Sequence, residues 1–306
     1  MIVLLSATRG YAPLMARSQI TTTSIMEHVR KLEDEHPPIR LDSVDRTIVN
    51  PVVVRERFAP VIDYLARVEL EVDRNVLELL TLLPGVSEVD RYFYQDVWQP
   101  QEIAHGVILD RLQVDLGLPP SEVFMGIPMR MKLLGALAHL PAIQEISRLL
   151  YYLTGAATER QAVLAYNRFT DQLAQLGEKA ISATIIGQIK RQEPGHFAFY
   201  QMSATQMIQD GVLAPWQLYV ARVLREKGFA LVGTDYVPRY EANLGALMVG
   251  LEIDLELEKY ARDIGRLEAK LLWANRNGME FPPYFLEALR QSIDMYREHG
   301  FRPQAA

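Results

Sequence analysis

The sequence predicts an all-α protein in which four long helices form a bundle and further helices are added to it. Apolar residues recur at helical spacing through several long stretches, and proline or glycine residues follow the ends of these stretches. Alternation typical of a β-strand is weak and confined to residues 229–232. A pattern of glutamate and histidine that occurs twice further favours two similar helix hairpins.

The first half of the bundle is expected to follow an N-terminal arm. Residues 1–50 form this arm, with one short helix that is capped by residues 21–24, continues to about Leu32 and is ended by Pro37-Pro38. The first long helix is predicted for residues 51–83 and ends at Pro84-Gly85. The second covers about residues 89–116 and ends at Gly117.

The second half of the bundle is predicted from a similar pair of helices. The third long helix covers about residues 141–176, and the fourth begins after Gly177 and continues to about residue 209. Residues 51–211 would then form the four-helix unit. Residues 212–306 are expected to add helices that pack on the same globular unit, and these helices are predicted at residues 215–227, 240–275 and 282–298.

Composition limits the kind of protein and the kind of metal site. The 306 residues include no cysteine, which excludes disulfides, iron–sulfur clusters and thiolate zinc sites. A net charge of −6 argues against a nucleic-acid partner. No apolar run approaches the ~20 residues that a membrane span requires, so no membrane partner is expected. The first residues lack a basic leader, and a cytoplasmic location is expected.

The most informative motif is Glu-x-x-His, which occurs as Glu102-x-x-His105 and again as Glu193-x-x-His196. Residues three apart on a helix share one face, so each motif can direct a carboxylate and an imidazole at the same point. A single copy is better explained as an accidental pairing on an exposed helix. The second copy favours a metal site.

Each motif is preceded by a lone glutamate at a matched distance. Glu69 lies 33 residues before the first motif (102 − 69), and Glu159 lies 34 before the second (193 − 159). The midpoints of these intervals fall at Gly85 and at the Leu176-Gly177 turn. Residues equidistant from a turn meet at one level of an antiparallel hairpin, and carboxylate-bridged dimetal proteins combine such hairpins.

The first of these glutamates has a neighbour that offers an alternative. Glu69 shares its helix face with apolar residues, where an unpaired carboxylate would be costly. Glu71 lies at nearly the same distance from the first motif, but its face carries Arg67 and Arg74 and is expected to face solvent. We therefore prefer Glu69 and keep Glu71 as the alternative ligand.

Two segments resemble a known family. The segment Val97-Trp98-Gln99-Pro100-Gln101-Glu102-Ile103-Ala104-His105-Gly106 resembles the first metal-binding helix of soluble acyl-carrier-protein desaturases, which has a tryptophan four residues before the ligand glutamate and a glycine after the histidine. Thr158-Glu159-Arg160, followed 34 residues later by Glu193-x-x-His196, is similar to the third and fourth helices of that family. The likeness covers roughly residues 60–210 and implies a ferritin-like bundle with a di-iron centre.

The resemblance implies six ligands to two iron ions, with manganese as the alternative metal. Two of the glutamates would bridge the ions and the other four residues would be terminal ligands. The bridging residues are Glu102 and Glu193, and the terminal residues are Glu69, His105, Glu159 and His196. Trp98 and Tyr200, each one turn from a motif, are expected to serve in packing, with support of the ligands or electron relay as the alternative roles.

The chain also departs from the family's Glu-Glu-x-Arg-His pattern. Gln101 and Gln192 replace the first glutamate, and Ala104 and Gly195 replace the arginine. These changes alter the hydrogen bonding around the ligands, on which metal affinity depends. Pro194 lies between the ligands of the second motif, so either a local bulge re-aims them or the motif is damaged.

The resemblance implies an oxidoreductase that activates O2 to desaturate or hydroxylate an apolar substrate. The substrate would be a small molecule or an acyl chain on acyl-carrier protein, with a ferredoxin-type electron donor and a homodimeric protein. Two alternatives remain open. One is an N-oxygenase with a di-iron site, and the other is a redox-inactive ferritin-like protein that binds a ligand or acts as a scaffold.

Overall fold

The computed structural model describes residues 19–82, 85–127, 129–234, 238–274, 276 and 278–301. Among these residues all regular secondary structure is helical and no β-strand occurs, which confirms the predicted all-α class with additional helices. Its α-helices are α1 Thr22–Glu35, α2 Pro51–Leu70, α3 Val72–Leu82, α4 Glu88–Arg91, α5 Gln99–Asp115, α6 Met129–Ala138, α7 Pro141–Gln175, α8 Lys179–Ile181, α9 Gly187–Gln209, α10 Pro215–Gly228, α11 Pro238–Gly250, α12 Leu257–Leu272 and α13 Pro283–His299.

Local sequence signals set several helix ends as expected. Thr21 caps α1: its hydroxyl accepts from the Ser24 backbone N–H, and the Ser24 hydroxyl in turn accepts from the Thr21 N–H. Helix α7 begins with Pro141 at its first position, where the missing N–H costs nothing. Gly177, with φ of 82°, follows the end of α7 and supplies the left-handed backbone that ends it.

Four predicted helices are interrupted, including the one expected from Gly177 to about residue 209. The helix expected at 51–83 is broken at Glu71 into α2 and α3, and the one expected at 240–275 is broken between α11 and α12, where Glu252 has φ of 59°. The helix expected at 89–116 contains a π-helical stretch at Tyr92–Trp98, and a second such stretch at Ser182–Ile186 precedes α9. Such wide turns recur in proteins beside functional sites.

The helices expected to form hairpins do pack in pairs, α2 on α5 and α7 on α9. Buried aromatic rings join the two pairs. Phe58 of α2 contacts Phe169 of α7 with ring centroids 5.1 Å apart, and Phe93 stacks on Phe199 of α9 at 3.6 Å. Helix α11 packs on α2 and α13, and α12 packs on α7. A ferritin-like classification of this arrangement stays a prediction.

Two glycines permit close helix contacts near the motifs. A Cβ on Gly106, the residue after His105, would lie 2.7 Å from Leu70 Cγ. A Cβ on Gly155 would lie 2.3 Å from the ring of Tyr200. Real side-chain packing does not permit such distances, so the absence of a side chain at these positions sets how closely α5 approaches α2 and α9 approaches α7.

None of the helices within the described ranges combines the length and the apolar character that crossing a membrane requires.

Candidate metal centre

The six residues expected as ligands come from four helices and meet in the interior. Glu69 lies in the last turn of α2, and Glu159 lies near the middle of α7. The two motifs lie on α5 and α9. All six side chains are buried, with Glu69 the most exposed at 8 %. The matched distance between each lone glutamate and its motif therefore places the six residues at the same level of the helices.

The six side chains form two overlapping groups of four, each compact enough to hold one metal ion. The first group combines Glu69 and His105 with two further glutamates, and the second combines Glu159 and His196 with the same two. The shared residues are Glu102 and Glu193. Within each group the possible ligand atoms all lie within 4.8 Å of one another. The shared position of these two carboxylates matches the bridging position that the resemblance implies.

Both histidines direct Nδ1 at the carboxylates. His196 Nδ1 lies 2.8 Å from Glu102 Oε1 and 3.7 Å from a Glu159 oxygen, while His105 Nδ1 lies 3.3 Å from Glu193 Oε1. Two ligand atoms at right angles, each ~2.1 Å from an ion, lie about 3 Å apart. The observed separations therefore suit atoms that share a cation.

The two glutamines that depart from the family pattern fix the opposite side of each imidazole. His105 Nε2 lies 2.6 Å from Gln192 Oε1, and His196 Nε2 lies 2.5 Å from Gln101 Oε1. Each glutamine thus contacts the histidine of the other motif. Their amide groups donate to backbone carbonyls, Gln101 to His36 O at 2.5 Å and Gln192 to Pro37 O at 2.9 Å.

This hydrogen bonding selects one tautomer of each histidine. A carbonyl can only accept, so the nitrogen of each glutamine amide must face the backbone and its oxygen must face the imidazole. The oxygen can only accept, so Nε2 of each histidine carries a hydrogen, and Nδ1 is the atom that faces the carboxylates and can bind either a proton or a cation. Gln101 and Gln192 therefore prepare both imidazoles to bind a cation.

Two aromatic side chains hold the terminal carboxylates. Tyr166 donates from its hydroxyl to Glu69 Oε1 at 2.5 Å, and Trp98 donates from Nε1 to Glu159 Oε1 at 3.1 Å. Trp98 packs on Phe93 and Tyr94 as expected, and its hydrogen bond to Glu159 adds the alternative role of supporting a ligand. Tyr200 lies in a buried cluster of aromatic rings that includes Phe199, at a centroid distance of 5.4 Å, as packing would require.

The burial of four carboxyl groups close together changes the pKa values of the cluster residues. Burial, reinforced by the charge of Glu102, raises the pKa of Glu69 well above its usual range. Burial also raises the pKa of Glu159 to about 8. For His105 burial acts in the opposite direction, but contacts with Glu102 and Glu193 outweigh it and raise the pKa to about 9. The carboxylates thus attract positive charge, which protons or metal ions can supply.

Four buried polar atoms in this cluster have no hydrogen-bond partner. They are Nδ1 of both motif histidines and Oε1 of both shared glutamates, Glu102 and Glu193. Unpaired buried polar atoms are rare because each costs free energy. Here all four converge on the same space, and they are the atoms that a pair of cations would use. The donor set of carboxylates and imidazoles suits iron or manganese.

Glu71, the alternative ligand, belongs to a different network. It is 1 % exposed rather than solvent-facing, so the expectation about its surroundings was wrong. Its Oε2 lies 3.1 Å from Arg67 Nη1 and 3.0 Å from Arg74 Nη1, and its Oε1 accepts from the Phe124 N–H. These ion pairs direct Glu71 away from the cluster at the break between α2 and α3. Glu69 is the residue that reaches the cluster.

Pro194 does not interrupt the second motif. Helix α9 continues through it from Gly187 to Gln209, and the π-helical stretch lies before α9, at Ser182–Ile186. No bulge occurs at the proline, and the π-helical stretch ends eight residues before it (194 − 186). Glu193 and His196 still reach the cluster, so the structure gives no sign of a damaged motif.

A cavity of about 90 Å³ adjoins the carboxylates. All four ligand glutamates line it, and neither histidine does. Apolar side chains from α2, α7 and α11 form much of the remaining wall, including Leu65, Val68, Ala162, Leu244 and Leu247. The cluster therefore has a closed side, built from histidines and glutamines, and an accessible side at the carboxylates.

No protein-family model, curated protein or solved structure matches this chain. The resemblance to acyl-carrier-protein desaturases therefore stays a prediction that rests on the motif residues. Buried glutamate and histidine groups that could hold a metal ion are what the structure itself shows.

Proposed function

We propose that this protein is an oxidoreductase with a di-iron site that activates O2 and oxidises an apolar substrate. The observation that carries the proposal is the pair of overlapping ligand groups that share Glu102 and Glu193 and contain four unpartnered buried atoms. Iron, when bound, would supply the reduction of O2 and the oxidation of a substrate C–H bond. Manganese is the alternative ion.

The protein's contribution would be charge, geometry and exclusion of water. Four carboxylates carry a charge of about −4 when ionised, which two divalent ions would neutralise inside a buried site. The glutamines fix the imidazoles, while Tyr166 and Trp98 fix the terminal carboxylates. Ligands held in this way need little rearrangement when ions bind.

The cavity indicates where substrate and O2 would approach. Ligand sites for drug-sized molecules measure roughly 300–1,000 Å³. The cavity of about 90 Å³ beside the carboxylates accommodates O2 and a short apolar group, and a long acyl chain would require side chains of its wall to move. We therefore propose that a short segment of the substrate lies next to the ions. Desaturation and hydroxylation remain the proposed reactions, with N-oxygenation as the alternative.

The partners follow from the same proposal. An apolar small molecule or a substrate bound to acyl-carrier protein would be oxidised, a ferredoxin-type protein would supply electrons, and the protein would act as a homodimer. The substrate, the electron donor and the homodimer are proposed from the resemblance of the motif residues to the desaturase family, not from a contact within the fold.

Iron uptake and oxidation test the proposal. Protein purified without metal should bind about two ferrous ions per chain in the absence of O2, and admitting O2 should produce the near-ultraviolet absorption of ferric iron. His105→Ala should lose one of the two ions and with it the reaction with O2, while circular dichroism stays unchanged. His139→Ala is the matched control, because His139 is exposed and lies outside the cluster. A folded protein that takes up neither iron nor manganese would refute the proposal and favour a redox-inactive scaffold.

A further inference from the structure

Four large apolar side chains on α6 and just beyond it are exposed to solvent. Met129 is 69 % exposed, Leu133 61 % and Leu137 52 %, and Leu140 follows just beyond the helix at 54 %. These residues recur every three or four positions and form one stripe. Among the described positions of α6, the buried ones are the small residues Gly135 and Ala138. A surface helix ordinarily has the opposite arrangement, with its large apolar residues directed at the core.

A second stripe of the same kind lies on α10. Trp216 is 50 % exposed and Tyr219 is 65 % exposed, and Val223 follows one turn later at 37 %. The side chain of Gln217 donates to the Ala142 carbonyl at 2.7 Å, which fixes the start of α10 to the start of α7. Trp216 and Leu140 each lie within two residues of that bond, so both stripes reach the start of α7.

We call these residues the lipid-facing surface: Met129, Leu133, Leu137, Leu140, Trp216, Tyr219 and Val223. Isolated exposed apolar residues need no explanation, but two runs of them on helices that both pack on α7 mark an interaction site. Tryptophan and tyrosine are the side chains most typical of a membrane–water interface, because they combine an apolar ring with a polar group.

The charge around α6 distinguishes this surface from the rest of the protein. Between Glu122 and Glu145 the sequence contains no acidic residue and two basic ones, Arg130 and Lys132. This segment therefore carries +2 in a chain whose net charge is −6, which leaves −8 for the remainder (−6 − 2). Lys132 is exposed and lies three residues from Met129, at the border of the stripe. Such a pattern complements a negatively charged surface.

We propose that α6 and α10 bind to an anionic lipid bilayer, with their apolar side chains inserted among the headgroups. A basic helix with apolar residues on one face binds membranes by lying in the interface rather than by spanning it. A second copy of this chain fits the surface less well, because a symmetric contact would bring the basic segments of both copies together. No membrane partner was expected because the sequence lacks a segment that could span a bilayer, whereas binding at the bilayer surface requires no such segment. The proposal does not rest on the proposed di-iron function.

Vesicle binding tests the proposal with the intact protein. The protein should co-sediment with phosphatidylcholine vesicles that contain phosphatidylglycerol, bind much less to phosphatidylcholine alone, and dissociate as salt is raised. The chain's other tryptophans, Trp98 and Trp273, are buried. A shift of the fluorescence maximum to shorter wavelength on binding would therefore report Trp216, and Trp216→Phe should remove it.

Paired variants separate this surface from general surface hydrophobicity. The double variant Leu133→Glu/Leu137→Glu should weaken vesicle binding by more than about tenfold. The matched control is Val52→Glu/Leu255→Glu, which adds the same charge at positions 65 % and 76 % exposed outside the lipid-facing surface, and it should bind nearly as the unsubstituted protein does. Circular dichroism verifies that both variants fold.

Four results would overturn the proposal. The first is equal loss of binding in both double variants, and the second is the absence of binding to anionic vesicles at low salt. The third is a protein that does not bind vesicles but forms a concentration-dependent dimer, which Leu133→Glu/Leu137→Glu abolishes. This result would assign the surface to a second copy of the chain. Binding to an acidic carrier protein in place of vesicles would likewise refute a lipid partner.

Discussion

The contacts of Gln101 and Gln192 predict that each glutamine supports a different one of the two metal positions. Gln192 contacts His105, which belongs to the group that contains Glu69. Gln101 contacts His196, which belongs to the group that contains Glu159. Replacing either glutamine with leucine, which has a similar size and no polar atoms, should therefore weaken one of the two metal positions and spare the other.

The structure also gives the size of the effect. In Gln192→Leu the buried Nε2–H of His105 loses its acceptor, and an unsatisfied buried group costs about 1–3 kcal/mol. The Pro37 carbonyl also loses a donor, but Pro37 is exposed, so water can replace it. Substitutions of groups that hold metal-binding histidines typically cost about 10- to 100-fold in affinity, or about 1.4–2.7 kcal/mol. The two estimates agree.

Anaerobic titration with ferrous iron or with manganese measures both positions. The unsubstituted protein should bind two ions, and each single glutamine variant should retain one tight position and weaken the other by about 10- to 100-fold. Gln201→Leu is the control, because Gln201 lies on α9 with the second motif but is exposed. Two tight positions in both glutamine variants, with affinities within about threefold of the unsubstituted protein, would refute this account of the histidines.

Two further predictions concern the first ligand and the approach of α5 to α2. Glu71→Gln should leave the buried guanidinium groups of Arg67 and Arg74 short of negative charge and lower the free energy of unfolding, measured in urea titrations, by about 3–5 kcal/mol. This variant should retain two metal ions, whereas Glu69→Gln should lose one. The reverse pattern would make Glu71 the ligand. In Gly106→Ala the new Cβ would lie 2.8 Å from the Leu70 backbone nitrogen and force α5 away from α2. The free energy of unfolding should therefore fall by about 1–3 kcal/mol, and iron binding should be reduced. Gly228→Ala, whose Cβ meets nothing within 4 Å, is the control, and equal thermal unfolding and iron content in both variants would contradict the argument.

The sequence predicts those features that local signals determine. Helix α7 agrees with the predicted residues 141–176 to within one residue, because Pro141 and Gly177 mark its ends and the apolar spacing between them is helical. The six cluster residues were found because the distance of each motif from its lone glutamate reflects the geometry of a hairpin. Both signals can be read without any knowledge of tertiary contacts.

Features that depend on tertiary contacts were missed. The break at Glu71 involves neither proline nor glycine, and ion pairs with Arg67 and Arg74 hold it in the interior. Sequence periodicity therefore assigned Glu71 to solvent. The π-helical stretches before α5 and α9 were also missed, because the same residues would fit an ordinary helix.

The glutamines could have been recognised from the sequence. Both motifs read Gln-Glu-x-x-His, so the same amide precedes the shared glutamate twice. We interpreted Gln101 and Gln192 only as departures from a family pattern. Their exchange of partners between the motifs depends on carbonyls at His36 and Pro37, which lie far from both motifs in the sequence.

The N-terminal arm gives these departures a common physical explanation. Leu32 of α1 packs so closely on the second motif that a Cβ on Gly195 would lie 2.2 Å from its Cδ2, and His28 Nε2 lies 2.9 Å from the Gly195 carbonyl. An arginine at position 195 would not fit beneath α1. In its place the residues that follow α1, His36 and Pro37, provide carbonyls to both glutamines. Displacing the arm would therefore release both histidines together, and the arm belongs to the metal centre as much as the four ligand helices do.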